Sequence, residues 1–198
     1  SPDPSRLPIR IDPGMAFGTG THPTTQLCLE LLEQVILDDA FASRFAAASR
    51  LIDVGCGSGI LSIAALHLGL DLALGVDIDP PSITASRQNA RANGITDERF
   101  LLGLGSVPEI LSGSLDTTPA SPQGIRTAPL VLANILAPVL IRLFDDGLAD
   151  LVAPGGALVL SGILHDQADA VLAAAQAKGL ELGVIKQMGD WVAVLVHS

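Results

Sequence analysis

IDVGCGSGI, residues 52–60, decides how this chain folds. A short apolar run, RLIDVG over 50–55, ends in glycine. Glycines recur at 55, 57 and 59, and GILSIAALHLG over 59–69 is apolar on nearly all sides. Strand, glycine turn and buried helix, in that order, open a parallel α/β unit. Glycines at such a turn let backbone amides approach a ligand, and the helix N-terminus favours a negative group there. Ala64 and Ala65 allow the helix to lie close to a sheet, and Gly69 stops it.

The spacing discriminates between ligands. A dinucleotide fingerprint needs a third glycine at position 60, where this chain carries Ile60. A Walker phosphate loop needs Lys followed by Ser or Thr, and no such pair follows the glycines. Working outward, LALGVD over 72–77 reads as the second strand and ends in Asp77, 22 residues after Gly55. A carboxylate at that tip can accept hydrogen bonds from two ribose hydroxyls. In the next helix, DPPSITASRQNARANG, Asp79 is the better cap and the prolines suit the first turn, which leaves Asp77 free. The bland alternative is that the glycines merely turn the chain. A ligand with ribose, adenine and a small carboxylate but no phosphate fits these parts, and S-adenosylmethionine is such a ligand. Its carboxylate is expected to face the amides near Gly57 and Gly59, and its ribose Asp77.

Further strands are expected at RFLLG (99–103), LVLAN (130–134) and ALVLSG (157–162), and helices over 22–39, 138–152 and 165–179. In the first helix Leu27, Leu31 and Val35 recur every four residues, as do Cys28, Leu32 and Ile36. LELGVIKQ and WVAVLVH, joined by MGD, form a terminal hairpin. The fold class is therefore α/β: a Rossmann-like, seven-stranded, mostly parallel sheet with an antiparallel last strand and helices on both faces. Residues 1–198 read as one domain, with 1–10 a leader or linker remnant and 111–129, rich in Ser, Thr, Pro and Gly, a mobile surface insertion.

Composition bounds the function. The chain has 198 residues, 48% hydrophobic and 16% charged, which suits a packed core and argues against disorder. With a formal net charge of −10 and 11 Lys and Arg, a broad nucleic-acid face is excluded and a basic partner is more natural. Cys28 and Cys56 make no disulfide framework, so a reducing cytoplasm is expected. LVLANILAPVLIRLF over 130–144 is too short and too interrupted, by Asn134, Pro138 and Arg142, for a membrane span. The N-terminus has no apolar signal core and no initiator Met, so the chain is expected to be trimmed from something longer. His67, His165 and His197 lack partners at metal-ligand spacing, and no metal is expected.

VGCGSGILSIAALHLG and GVDIDPPSITASRQNARANG resemble class I methyltransferases. DPGMAFGTGTHPTT (12–25), ANILA and LSGIL narrow the resemblance to the bacterial ribosomal protein L-eleven methyltransferase family, from about residue 9 to the C-terminus. The resemblance implies S-adenosyl-L-methionine as cofactor, contacted by Thr25, Gly55, Asp77 and Asn134, to which the glycine-turn reading adds Gly57. It implies methyl transfer to lysine ε-amino and N-terminal α-amino groups of a ribosomal protein; a monomer with no nucleic-acid or membrane partner is expected besides. Two departures stand out. Family members carry a separate N-terminal substrate-recognition domain, whereas about ten residues precede the match here. The strand before ANILA usually opens with an acid, here replaced by Pro129 and Leu130.

No general base is required or apparent, so no catalytic residue is assigned. Asn134 could accept a hydrogen bond from the incoming amine, although Ile135, Leu136 and Ala137 replace the Pro-Pro-aromatic run of many amino-methyltransferases. His22 reads as a cap for a helix start, Trp191 as a core or edge residue, and Phe17 as a wall of the amine channel. DPGMAFGTGTHPTT reads as a lid: HPTT starts a helix that presents Thr25, and the glycines supply a hinge. The alternatives are another protein lysine or a small molecule as acceptor, a non-catalytic cofactor-binding module, and an oxidoreductase, which Ile60 opposes.

Overall fold

The computed structural model describes residues 7–12, 20–45, 49–119 and 124–198. Its centre is one eight-stranded sheet in the order β4-β3-β2-β1-β5-β6-β8-β7. The strands are β1 Arg50–Val54, β2 Leu72–Asp77, β3 Phe100–Leu104, β4 Thr117–Thr118, β5 Ala128–Asn134, β6 Val152–Leu164, β7 Glu181–Met188 and β8 Trp191–His197. Strands β3, β2, β1, β5 and β6 run parallel, while β4, β8 and β7 each pair antiparallel with their neighbours. Sequence order reverses between β1 and β5, and at such a switch point a crevice opens beyond the strands' carboxyl ends.

Each buried strand reads as a continuous apolar run because both faces are covered. On β5, Leu130 and Leu132 join one core layer and Val131 and Ala133 the other. The first layer lies under α1 Pro23–Ile36, α3 Ile60–His67 and α4 Pro80–Ala92; it holds Leu27, Leu31, Ile63 and Phe100. The second lies under α5 Val107–Ser112, α6 Ala137–Asp145 and α7 Ala168–Ala177, with Ile110, Leu140, Phe144 and Val171. The fours-spaced stripes of α1 are its buried face, as expected: Leu27, Cys28, Leu31, Leu32, Val35 and Ile36 are all buried.

The sheet has one strand more than the seven expected. β4 lies inside 111–129 and pairs Thr117 with Gly103 and Thr118 with Leu102. Two residues carry no period to read, and that strand exists only because the edge of β3 is there to receive it. Ile125, in the same stretch, is buried in the core, and 120–123 lie outside the described residues. Two short helices were also not expected, α2 Asp39–Phe45 and α5, the second fixed by a capping box between Ser106 and Glu109. The strand expected at 157–162 begins earlier, at Val152, and PGG at 154–156 is a bulge within β6: Val152 pairs with Ala128 and Ala157 with Leu130. The helix expected over 138–152 ends at Asp145, with a separate 3₁₀ turn over Leu148–Leu151.

The end of the stretch read as a leader is tied to α4. The Arg10 amide donates to Asn93 Oδ1 at 2.8 Å, and Asn93 Nδ2 donates back to the Arg10 carbonyl at 2.7 Å. The Asp12 amide donates to Asn89 Oδ1 at 3.0 Å. Phe17 and two of the expected hinge glycines, Gly14 and Gly18, fall within 13–19, outside the described residues.

Candidate active site

A cleft of about 750 Å³ opens at the carboxyl ends of the parallel strands, and Thr25, Gly55, Gly57, Asp77 and Asn134 all line it. The turn after β1 is locked to β2, with the Gly55 and Cys56 amides both donating to the Val76 carbonyl, at 2.8 and 3.0 Å. Glycine is needed in this turn: Gly59 has φ +79°, and a Cβ there would lie 2.9 Å from Ser86 Oγ. α4 holds the turn from outside, Ser86 Oγ donating to the Gly57 carbonyl and Asn89 Nδ2 to the Ser58 carbonyl, each at 2.8 Å.

Asp77 closes β2 at the mouth of this turn. Its Oδ2 accepts from the Gly57 amide and its Oδ1 from the Asp79 amide, both at 3.0 Å. A carboxylate has about four acceptor sites, so each oxygen keeps one for a ligand while the group cannot swing. Asp79 caps α4 as expected, accepting from the Ser82 amide at 3.3 Å and the Ser82 hydroxyl at 3.0 Å. The Gly57 amide donates to Asp77 and the Gly59 amide to the Cys56 carbonyl at 2.8 Å, so these two amides are bonded within the turn and the neighbouring ones at the start of α3 are left for a ligand. The cause is the tightness of the turn, which folds its own donors inward.

Thr25 and Asn134 behave differently. Thr25, in the first turn of α1, is wholly buried, and Asn134 stands at the tip of β5. Thr25 Oγ1 and Asn134 Oδ1 are buried with no hydrogen-bond partner among the described residues, although both residues line the cleft. Leaving a buried polar atom unpaired costs about 1–3 kcal/mol, and these two atoms border one cleft. The Asn134 tip is held in place from behind: the Ile135 amide donates to the Ser161 carbonyl at 3.0 Å, and the next residue, Gly162, sits at φ +82°. A Cβ on Gly162 would come within 2.5 Å of the Ile135 carbonyl oxygen.

The family model described as ribosomal protein L11 methyltransferase (PrmA) matches residues 1–198. The chain belongs to the ribosomal protein L11 methyltransferase family. It is 42% identical over its whole length to a ribosomal protein L11 methyltransferase of Geobacter metallireducens, of which it covers 57%. The chain spans about half the length of the curated relatives it matches. The crystal structure of a ribosomal protein L11 methylase from Lactobacillus delbrueckii subsp. bulgaricus superposes with a TM-score of 0.73 at 30% identity, covering 95% of this chain and 83% of that one. An RNA methyltransferase from Salinibacter ruber, solved with S-adenosyl-L-homocysteine, shares the fold at a TM-score of 0.59 and 18% identity, over 87% of this chain and 90% of that one.

In this family member His22 is the α1 cap that the sequence suggested. Its Nδ1 accepts from the Thr24 amide at 3.3 Å and lies 2.8 Å from Thr24 Oγ1. Its ring meets the Trp191 indole edge-on, with centroids 5.0 Å apart and planes at 67°. Trp191 packs against the core, as expected of it, but it also lines the cleft, which sequence reasoning missed. Ile78, Gly105, Ser106, Arg142 and Asp146 were missed as well. The i, i+4 spacing of Arg142 and Asp146 was a legible signal that they share a helix face, but not that this face meets the cleft.

One carboxyl lies below the site. Asp53, on β1, is buried and accepts from Ser62 Oγ at 2.7 Å. Burial pushes its pKa up to about 6, partly offset by the Ser62 hydrogen bond and reinforced by the charge of Asp77. Burial also pushes the Cys28 thiol up to about 12 and the Cys56 thiol well above its ordinary value, so neither is a ready nucleophile. Among the described residues no three His, Cys, Asp or Glu side chains gather as a metal site, and no helix is long and apolar enough to cross a membrane.

Proposed function

We propose that this chain is the catalytic part of an S-adenosyl-L-methionine-dependent protein methyltransferase that modifies lysine ε-amino or N-terminal α-amino groups of a ribosomal protein. The observation that carries the reading is the pair of unpaired buried polar atoms, the Thr25 hydroxyl and Asn134 Oδ1, in the cleft that also holds Asp77 and the glycine turn. The polar groups fit the cofactor: a braced carboxylate that accepts from two ribose hydroxyls, a helix start that donates to a small carboxylate, and no phosphate loop. With Gly57 and Gly59 engaged, the first-turn amides of α3, beside Ile60 and Leu61, are the donors left for that carboxylate.

When bound, S-adenosyl-L-methionine supplies a methyl group already activated on a sulfonium. The chain's work is then positioning and water exclusion. Asp77 and Asn134 end strands on either side of β1, roughly 10 Å apart at two strand spacings. Asp77 holds the ribose, Gly55 and Gly57 let the cofactor lie against the turn, and Thr25 donates from α1. Asn134 Oδ1 accepts an N–H of the acceptor amine and so directs its lone pair. The amine must be neutral to attack; its ordinary pKa, about 10.4 for lysine and about 8 for an α-amine, falls on desolvation in a largely apolar cleft, and its proton leaves to water. No buried base is needed for that step. The reading includes a single chain acting as a monomer in the cytoplasm, with a protein partner and neither nucleic acid nor membrane.

The test has two stages. Calorimetry with S-adenosyl-L-methionine measures cofactor binding by the chain. Incubation with methyl-labelled cofactor and purified ribosomal proteins, followed by mass spectrometry, then identifies the acceptor. Methylated lysine or α-amine on a ribosomal protein is the expected result. Cofactor binding without label on any protein, also when a family recognition domain is fused before residue 1, would overturn the acceptor class and leave the cofactor reading standing.

A further inference from the structure

A surface helix ordinarily buries an apolar stripe. α4 buries a polar one: Ser82, Ser86 and Asn89 are inside beside Ala90, and Asn93 continues the line at the helix end. Spacings of four, three and four keep these groups on one face. Each is bonded to a neighbour. Ser82 serves the Asp79 cap and Ser86 the Gly57 carbonyl. Asn89 serves two partners at once: Nδ2 donates to the Ser58 carbonyl at 2.8 Å, and Oδ1 accepts from the Asp12 amide at 3.0 Å. A carbonyl on one side and an N–H on the other fix which way round the amide sits. Asn93 holds Arg10 through both its amide and its carbonyl, and donates to the Asn89 carbonyl at 2.7 Å. The segment so held, residues 7–12, carries Ile9 and Ile11 half-buried against the core layer beneath α4, with exposed Arg10 between them. None of residues 7–12 lines the cleft.

We infer that Asn89 is a positioning residue that couples this strap to the glycine turn: docking of residues 7–12 on α4 and occupancy of the cleft favour one another. The ligand half of this rests on the reading of the cleft as an S-adenosyl-L-methionine site. Asn89 is 2% exposed. With the strap docked, both ends of its side-chain amide are paired. With the strap drawn away, Oδ1 loses its donor, and a buried acceptor without a partner is costly. The side chain then turns towards water, and Nδ2 leaves the Ser58 carbonyl. Gly59, the next residue, caps α3, whose first amides are the donors left for the ligand's carboxylate. A ligand must then order a turn that was ready-made before, and it binds less tightly. By linkage the reverse holds equally: a ligand that fixes the turn holds Asn89, and with it the strap. Residues 7–12 are therefore a handle on a cleft they do not touch, and whatever draws them off α4 lowers cofactor affinity.

Asp12→Pro deletes the N–H that Asn89 accepts and leaves α4 intact, whereas Asp12→Ala keeps that N–H. Asn89→Leu removes both of the side chain's bonds. Calorimetry with S-adenosyl-L-homocysteine is expected to show about fivefold weaker binding in Asp12→Pro and in Asn89→Leu, and parental binding in Asp12→Ala. The double variant Asp12→Pro with Asn89→Leu should lose no more than Asn89→Leu alone, because both changes break one path. Hydrogen exchange followed by NMR needs no ligand. In Asp12→Pro the Gly57 and Gly59 amides are expected to exchange about fivefold faster, with core amides such as those of Ile63 and Leu74 unchanged. This readout decides the coupling even where the parent binds no S-adenosyl-L-homocysteine, a result that counts against the proposed function alone. Parental exchange at the turn in Asp12→Pro, faster exchange throughout the core, or losses that add in the double variant overturn the inference. Should Asn89→Leu fail to fold, Asp12→Pro, a change at an exposed residue, decides.

Discussion

At the β1–β2 end of the cleft, Asp77 accepts from two backbone amides at 3.0 Å and the glycine turn's carbonyls are taken up by α4, whereas at the α1–β5 end Thr25 Oγ1 and Asn134 Oδ1 have no partner among the described residues. The first end is satisfied by itself and by the elements beside it. The second is assembled from distant parts of the chain and stays polar at its own expense. A group already bonded to its scaffold contributes to both folding and binding, while an unpaired buried group opposes folding and repays that only when a ligand arrives. Substitutions at the two ends should therefore move stability and affinity in different combinations.

The largest expected effect is at the support of the Asn134 tip. Gly162→Ala combines a positive φ with a Cβ 2.5 Å from a backbone oxygen, and about 3 kcal/mol of stability should be lost in urea denaturation. Gly94→Ala is the control: φ is +74° but nothing lies within 4 Å of the added Cβ, so only about 1 kcal/mol is expected. Equal losses in the two variants would show that the tip is not wedged against Gly162.

Asp53 tests the ground beneath the β1–β2 end. Its folded pKa is raised, from 3.8 to about 6, so the folded state holds the proton more tightly than the unfolded one. The stability this provides is full below the unfolded value and is lost as pH rises through the folded one. Asp53→Asn, which does not ionise, should gain on the parent by about 3 kcal/mol between about pH 4 and about pH 8. Denaturation curves across that range that keep a constant difference would mean the carboxyl is not desolvated.

Asp77→Ala should weaken S-adenosyl-L-methionine binding about tenfold to a hundredfold by calorimetry and cost about 1–2 kcal/mol of stability, because the Gly57 and Asp79 amides lose their acceptor. Thr25→Val sharpens the contrast at the smallest scale. It replaces an unpaired hydroxyl by a methyl of similar shape, so melting should rise by up to about 1 kcal/mol while cofactor affinity falls about fivefold. If Thr25→Val lost stability as Asp77→Ala does, the two ends would not differ as described.

The local sequence determined the unit from Arg50 to Ala92: its strands, its glycine turn, its capped helix and the acid at the tip of β2. Each of these depends on short-range rules of spacing, capping and positive φ, and Leu72–Asp77 falls on the residues read as that strand. The amphipathic stripe of α1 and the terminal hairpin were legible for the same reason. Tertiary structure alone decided what spacing cannot carry. β4 is a strand only against the edge of β3, and PGG is a bulge only because β5 continues beside it. The direction of the Gly57 and Gly59 amides depended on where Asp77 and Cys56 lay once the turn had closed. Trp191 reached the cleft because β8 runs antiparallel, which brings a residue remote from Asn134 in sequence to the same rim. Periodicity says which face of an element is buried; strand order and direction say which residues meet at its ends, and those are properties of the assembled sheet.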